Sequence, residues 1–329
     1  MPIDIDTIQR AILEQRAKWV ARLQPSFAGL TDDQLRRKLG VIVNERELEA
    51  LRQAPAPEIV KVIAHFETSP VVPFEQSQVA REAVGRVADR LRLAQQAVDQ
   101  LTREGALPSS TAQLLLQVDW RNRRGRNNVT PVTDQGGCGS CVSFGVTATL
   151  ESMVLIEHNL SLDLSEAELL FCGGGSCGGW WPDAAVTYVK NNGVAFESCF
   201  PYFDHDMPCS TCPDRNGEAT QAVNSVVYFT MADRRSYICS IGPVAAVFEV
   251  YEDFYSYAGG VYSHVSGAFV GLHCVEVIGF DDVNKFWICK NSWGSGWGEG
   301  GFFCIAYGQC NIDAAYPFWG VYGTRWFGT

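Results

Sequence analysis

A glycine-rich turn that opens directly onto a helix, with a cysteine at the junction, is the feature that most constrains this chain. The turn lies in the run Q-G-G-C-G-S-C-V-S-F, residues 135 to 144. From Cys141 onward, apolar side chains recur every three or four residues and predict a buried helical face that ends near His158: Val142, Val146, Leu150, Met153 and Val154. The unpaired N–H groups and the positive dipole end of a helix N-terminus stabilise a thiolate. The sequence therefore predicts that Cys141 is a nucleophile.

Two further blocks stand at informative distances from that cysteine. His273 follows Cys141 by 132 residues within G-L-H-C-V-E-V-I-G-F, and Asn291 follows it by 150 residues within K-N-S-W-G-S-G-W-G-E-G-G-F-F. This order and spacing, with Gln135 six residues ahead of Cys141, resemble the papain-like, cathepsin-like cysteine peptidases. The resemblance implies an α+β fold of two lobes, a helical left lobe and a β-barrel-like right lobe, with the active-site cleft between them.

The resemblance also implies a role for each residue of the site. Cys141 would attack a peptide carbonyl as a thiolate, and His273, its imidazolium partner, would protonate the leaving amine. Asn291 would orient the imidazole ring. The side-chain amide of Gln135 would stabilise the oxyanion together with the backbone N–H of Cys141. The alternative for Cys141 is a disulfide with Cys138, but cysteines with this spacing rarely bridge outside redox folds.

Aromatic residues near Asn291 extend the likeness. Trp293 and Trp297 resemble the family's aromatic pair, which keeps water away from the bond between histidine and asparagine and so strengthens it. Core packing would be an equally ordinary role for both. Val142 departs from the family, which usually has Trp or Tyr directly after the nucleophile. We expect this change to alter packing beside the active-site helix more than the bond chemistry.

A mostly apolar substrate pocket follows from the resemblance. Gly178 and Gly179 look like the glycine strand that hydrogen-bonds the substrate backbone, although they are displaced relative to the usual Cys-Asn-Gly-Gly order. Five uncharged residues would line the second subsite: Trp181, Pro182, Val247, Cys274 and Ala315. We therefore expect a preference for Leu, Val or Phe at the substrate residue N-terminal to P1.

Two units are predicted, residues 1–112 and 113–329. The first is predicted to be all-α, with helices over residues 3–23, after the capping residues Thr31 and Asn44, and over residues 75–104. Because the sequence from Val118 resembles the start of the mature enzymes, residues 1–112 occupy the place of an inhibitory pro-segment, which in this family runs backwards through the cleft. An unrelated targeting or docking domain is the alternative.

The cysteine distribution separates the same two units. All twelve cysteines lie at or after Cys138, which favours disulfides in the second unit and an oxidising compartment, whether secreted, periplasmic or lysosome-like. Reduced, buried cysteines in a cytosolic protein are the alternative. The resemblance implies a Cys138–Cys177 bridge, and a bridge from Cys172 to either Cys209 or Cys212. It leaves the other cysteines open, and we expect neither a metal site nor a cofactor.

Charge and length exclude other classes of function. The net charge of −11 gives no electrostatic reason to expect nucleic acid or an anionic membrane as a partner. No apolar run is long enough for a membrane span, and the first residues lack the pattern of a signal peptide. The sequence therefore predicts a cysteine endopeptidase, made as a proenzyme, that acts on proteins or peptides and holds its own N-terminal segment in its cleft. The alternatives are an aminopeptidase or transamidase with the same triad, or a non-catalytic peptide-binding protein.

Overall fold

The computed structural model describes residues 4–55, 116–123 and 125–326. These residues form seven α-helices: α1 Ile5–Gln15, α2 Asp32–Arg36, α3 Glu45–Gln53, α4 Cys141–His158, α5 Pro182–Asn192, α6 Arg215–Glu218 and α7 Met231–Ser240. They also form nine strands: β1 Lys18–Ala21, β2 Gln117–Asp119, β3 Thr220–Tyr228, β4 Val244–Tyr251, β5 Tyr257–Tyr262, β6 Phe269–Asp281, β7 Phe286–Lys290, β8 Phe302–Ala306 and β9 Phe318–Trp326. Within the described ranges, no helix combines the length and the apolarity that crossing a bilayer requires.

Helix α4 is the central helix, and its bounds are those that the sequence predicts. It packs against β6, β9 and α5, so that almost every side chain in its first three and a half turns is buried. Asn159 ends the helix in the left-handed conformation, with its backbone N–H donating to Leu155 O at 3.1 Å. This enclosure fixes the position of Cys141 at the helix N-terminus.

The nine strands form one sheet beside the helices. Its order is β1-β5-β8-β7-β6-β4-β9-β3, and β2 pairs with β6 outside this path. The sequence predicts five of these strands, over residues 226–229, 244–250, 273–280, 286–290 and 302–306. Strands β7 and β8 have the predicted bounds, whereas β3, β4 and β6 are longer than predicted. Strands β5 and β9 have no counterpart in the sequence-based prediction. Helices combined with a largely antiparallel sheet match the expected α+β class.

The described part of the N-terminal unit is helical, as predicted, with one added strand. Helix α1 ends at Gln15, so the prediction of a single helix through residue 23 is wrong. Strand β1 follows and pairs antiparallel with β5. The indole of Trp19 packs against Tyr262 with a centroid distance of 5.1 Å, and this burial outweighs the helical spacing. The helix predicted over residues 75–104 and the boundary at residue 112 lie outside the described residues.

Both predicted N-caps of this unit are present. Thr31 and Gln34 form a capping box at the start of α2, and the Asn44 side chain accepts a hydrogen bond from Glu47 N at the start of α3. Between these two helices, residues 38–43 are not helical. They cross the surface of the second unit beside α4.

Three disulfides link the loops of the second unit: Cys138–Cys177, Cys172–Cys209 and Cys199–Cys212. The first is the bridge that the resemblance implies, and the second selects Cys209 over Cys212. The third is a pairing that the sequence leaves open. The six other cysteines are free. Three bridges in one chain are typical of an oxidising compartment.

Candidate active site

Cys141 is the first residue of α4, and its thiol is free and fully buried. Cys138, the alternative partner, is bonded to Cys177 instead. This bond, with the hydrogen bond from Gly139 N to Cys177 O at 3.0 Å, holds the glycine-rich turn against the loop before α5. Val142, which replaces the usual aromatic residue, is also fully buried. The turn therefore presents the sulfur at the helix N-terminus, the position that the sequence predicts.

His273 and Asn291 lie within hydrogen-bond distance of each other. His273 is on β6 and Asn291 directly follows β7, and the distance from Nε2 to Oδ1 is 2.8 Å. The Asn291 Oδ1 also accepts from the backbone N–H of Ser292 at 2.8 Å, which fixes it as an acceptor. The His273 Nε2 must therefore be the donor. This leaves Nδ1, which is buried and has no partner among the described residues, as the ring nitrogen available to a reacting group.

The two predicted aromatic residues lie beside this pair. The Trp293 ring is 4.8 Å from the His273 ring, centroid to centroid, and Trp297 packs edge-on behind it at 5.1 Å. Both indoles are almost completely buried. Such a cover excludes water from the histidine–asparagine hydrogen bond, and a lower local dielectric strengthens that bond.

Gln135 is held by its neighbours in a single orientation. Its Oε1 accepts from Ser292 Oγ at 2.6 Å, so its amide nitrogen Nε2 points the other way. That nitrogen donates to Cys138 O at 2.8 Å and to Lys38 O at 3.2 Å. The hydroxyl of Tyr202 also donates to the main-chain carbonyl of Gln135, at 2.9 Å. Sequence reasoning does not identify Ser292 or Tyr202, and the only signal for Ser292 is its position next to Asn291.

The N-terminal unit occupies the cleft directly above this site. Trp180 N donates to Gly40 O at 2.7 Å, and Ile42 N donates to Trp180 O at 2.9 Å, which makes a parallel bridge between Val41 and Trp180. The fit is tight, since a Cβ on Gly40 would lie 1.7 Å from Gly139 O. The segment 38–43 therefore fills the space that a peptide would need.

Burial shifts the pKa values of the two reacting groups in the closed form. Burial raises the pKa of Cys141 to about 11, although backbone N–H groups, including that of Gly40, oppose the shift. Burial also lowers the pKa of His273 to about 4, against the opposite effect of the hydrogen bond to Asn291. Both shifts favour a neutral thiol and a neutral imidazole in this closed form, and opening the cleft to water would favour the thiolate–imidazolium pair expected from the sequence.

The backbone that pairs with the segment is that of Trp180 and not of the two predicted glycines. Gly178 lies in a turn, and Gly179 contacts the segment only by close approach, because a Cβ there would be 2.5 Å from Gly40 O. The Trp180 indole turns away from the cleft onto Gly173 and Gly175, where an added Cβ would lie 2.3 and 2.9 Å from the indole. Because Gly173 and Gly175 have no side chains, there is room for the indole of Trp180, at a position where the family has glycine.

The other predicted subsite residues lie on several elements of the second unit. Trp181 is buried edge-on against Trp319, and Pro182 begins α5. Val247 and Cys274 are opposite each other on β4 and β6, and both are buried. Ala315 O accepts from the Arg52 guanidinium at 2.8 Å, so helix α3 is docked on it.

Comparison with known proteins identifies a family for this chain. The model of the papain family cysteine protease matches residues 115–318. Mouse pro-cathepsin H is 37% identical over 231 residues, which are 65% of this chain and 66% of that protein, and pineapple fruit bromelain is 36% identical over 198 residues, 58% and 54%. The chain thus spans less than two thirds of the length of either relative.

Solved structures show the same fold over nearly the whole chain. Procathepsin B S9 from Trypanosoma congolense has a TM-score of 0.68 at 22% identity and covers 96% of this chain and 97% of its own. Digestive procathepsin L2 from Tenebrio molitor has a TM-score of 0.69 at 22% identity, covering 97% and 88%. This likeness confirms the predicted papain-like fold. Together with the family match, it establishes that the chain belongs to the papain family of cysteine proteases.

Proposed function

We propose that the chain is a cysteine endopeptidase made as a proenzyme. The observation that carries this proposal is the convergence on one cleft of three groups: the free thiol of Cys141 at a helix N-terminus, the oriented imidazole of His273, and the amide of Gln135. The family match supports the same chemistry. A non-catalytic peptide-binding protein would not need all three groups.

In the proposed reaction, the Cys141 thiolate attacks the scissile carbonyl carbon, and the carbonyl π electrons move onto oxygen. The Gln135 Nε2–H and the Cys141 N–H stabilise that oxyanion. His273 then gives a proton to the amine, the C–N bond breaks, and a thioester remains on Cys141. Water, deprotonated by His273, attacks the thioester, and its collapse releases the carboxylic acid and restores the cysteine.

Endopeptidase activity is favoured over aminopeptidase activity by the shape of the cleft. A continuous chain passes the nucleophile in both directions, from Lys38 beside Gln135 to Ile42 beside Trp180. A substrate can therefore extend on both sides of the scissile bond. An aminopeptidase or a transamidase with the same triad is the alternative, and product analysis with an added amine nucleophile would distinguish them.

We propose that residues 1–112 are the inhibitory pro-segment and residues 113–329 the catalytic domain. The contacts of Gly40 with Gly139 and Trp180 support this division, since they block the approach of any substrate to Cys141. An unrelated docking domain would have no reason to enter the cleft. The three disulfides support a secreted, periplasmic or lysosome-like compartment for the mature enzyme.

The half-buried side chain of Val41, between the two hydrogen bonds to Trp180, supports the apolar preference predicted at the residue N-terminal to P1. The pocket residues proposed there remain Trp181, Pro182, Val247, Cys274 and Ala315, with Gly178 and Gly179 at its rim. A peptide library would test this preference. A profile dominated by Arg at that position would contradict it.

One experiment tests the proenzyme. Peptidase activity and chain mass are followed together as the pH is lowered, with Cys141→Ala as the inactive control. We expect activity to appear with the loss of about 12 kDa, the share of 36.2 kDa that 112 of 329 residues represent. Full activity of the intact chain at neutral pH would refute the inhibitory role. A wild-type chain that neither cleaves peptides nor reacts with an epoxysuccinyl thiol reagent after acidification would refute the peptidase.

A further inference from the structure

The chain carries a buried lysine in its own active-site cleft. Lys38 is 8% exposed, and its ammonium donates to the main-chain carbonyl of Gly136 at 2.9 Å. The ammonium also lies 5.3 Å from the centroid of the Phe27 ring, which packs on Trp293. Burial removes most of the solvation and rotamer entropy of a lysine side chain, so favourable contacts with neighbouring groups must offset both losses.

Two carboxylates offset part of that cost. Asp134 Oδ1 lies 3.9 Å from the Lys38 Nζ, and Asp204 lies close enough for electrostatic attraction. Burial lowers the pKa of Lys38, and both carboxylates oppose that shift. Each is fixed by the backbone of the glycine-rich turn. Asp134 accepts from Gly136 N at 2.9 Å, and Asp204 accepts from Gly137 N at 3.0 Å.

The position of Asp134 and Asp204 relative to the nucleophile determines which part of a substrate they would contact. Gly40 contacts Cys141, residues 40–42 pair with Trp180, and Lys38 lies on the other side, beside Gln135 and Gly136. In the proposed peptidase the acyl part of a substrate pairs with Trp180. The Lys38 side chain therefore occupies the leaving-group side of the scissile bond.

We propose that Asp134 and Asp204 form a subsite selective for a basic side chain on the leaving-group side of the substrate, and that Lys38 occupies this subsite in the proenzyme. This inference rests on the proposed peptidase function and adds a second specificity to it. Substrates would combine an apolar residue N-terminal to P1 with Lys or Arg just after the scissile bond.

The test uses the full-length protein after acid activation and quenched fluorescent peptides that share an apolar residue N-terminal to P1. Each pair of peptides differs at a single position, either the first or the second after the scissile bond. One peptide of the pair has Lys there and the other has Met, whose side chain is of similar length. We expect kcat/KM for Lys to exceed that for Met by roughly threefold to tenfold at one of the two positions, as for a partly exposed ion pair. The ratio should fall toward one as the ionic strength rises to about 1 M, because salt screens the attraction.

The matched variants remove the charge of each carboxylate and keep its hydrogen bond to the backbone. Asp134→Asn and Asp204→Asn keep an acceptor oxygen for Gly136 N and Gly137 N, and the double variant should bring the Lys:Met ratio to about one. Asp206→Asn is the control, since Asp206 lies on the same loop as Asp204 but accepts from Cys177 N at 2.7 Å and does not act on Lys38. It should leave the ratio unchanged.

Two results would overturn the inference while leaving the peptidase intact: a wild-type ratio of one at both positions, or a ratio that the double variant does not change. The salt dependence needs no variant, so a fold defect in the double variant does not hide the answer. If no peptide is cleaved and the epoxysuccinyl reagent does not label Cys141, the proposed function itself fails, and this inference fails with it.

Discussion

Replacing Gly40 by alanine should activate the intact chain. The added Cβ would stand 1.7 Å from Gly139 O and 2.3 Å from Gly139 C, whereas ordinary contacts begin near 3.4 Å. Both neighbours are backbone atoms, so no flexible side chain can move aside, and the segment must lift. Lifting breaks the two hydrogen bonds to Trp180, each worth about 1 kcal/mol, and overpacking adds about 1–3 kcal/mol. At 1.4 kcal/mol per tenfold change, the sum of about 3–5 kcal/mol weakens the intramolecular inhibition by about 10²- to 4 × 10³-fold.

The assay is the rate at which an epoxysuccinyl thiol reagent labels Cys141 at neutral pH, with chain mass monitored to show that nothing has been cleaved. Gly217→Ala is the matched control, since nothing lies within 4 Å of its Cβ position. We expect the Gly40→Ala chain to be labelled at least a hundredfold faster than wild type and the control to behave like wild type. Equal labelling of Gly40→Ala and wild type would refute the argument that residues 38–43 block the nucleophile.

Three further outcomes are expected. Gln135→Ala should lower kcat by about 10²–10³, measured on the acid-activated chain, because one oxyanion donor is lost, while the chain stays folded at the assay temperature; an unchanged kcat would exclude that role. Burial raises the pKa of Glu197 to about 7 from 4.5, so its contribution to stability is fully present below about pH 4.5 and is lost as the pH rises through 7. In a Cys141→Ala background, which prevents processing, Glu197→Gln should therefore reduce the fall of the melting temperature over this pH range. An unchanged dependence of the melting temperature on pH would contradict this pKa shift. Alkylation of the denatured, unreduced chain should modify six thiols, as counted by mass, and the double variant Cys199→Ser, Cys212→Ser should unfold at lower urea with a loss of about 2–4 kcal/mol.

The helix that begins at Cys141 can be predicted from sequence because local chemistry and long-range spacing agree there. The glycine turn, the apolar period and the distances to His273 and Asn291 all point to one arrangement. Strands β7 and β8 are predictable for a similar reason, since each is a short apolar run between turn residues. Sequence therefore identifies the site residues whose role depends on their own side-chain chemistry, such as Cys141, His273 and Asn291.

Other features depend on contacts that sequence does not contain. The spacing of Trp19 from Ile12 predicts a helix, but burial against Tyr262 places Trp19 on a strand. Strand β5 contains Gly259 and Gly260 and has no apolar alternation, so its pairing with β1 and β8 is what makes it a strand. The surroundings of Cys141 likewise depend on a distant part of the chain, since the backbone N–H of Gly40, about 100 residues earlier, contacts the thiol.

Strand β1 pairs with β5, which would otherwise be an edge strand of the sheet. If the N-terminal unit is removed as proposed, β5 becomes the outermost strand, and its free N–H and C=O groups can template a strand from another molecule. Gly260 approaches the backbone of Lys18 so closely that a side chain there would exclude the partner strand. A released N-terminal fragment should therefore anneal again to the mature enzyme, as a dissociable inhibitor whose occupancy depends on dilution.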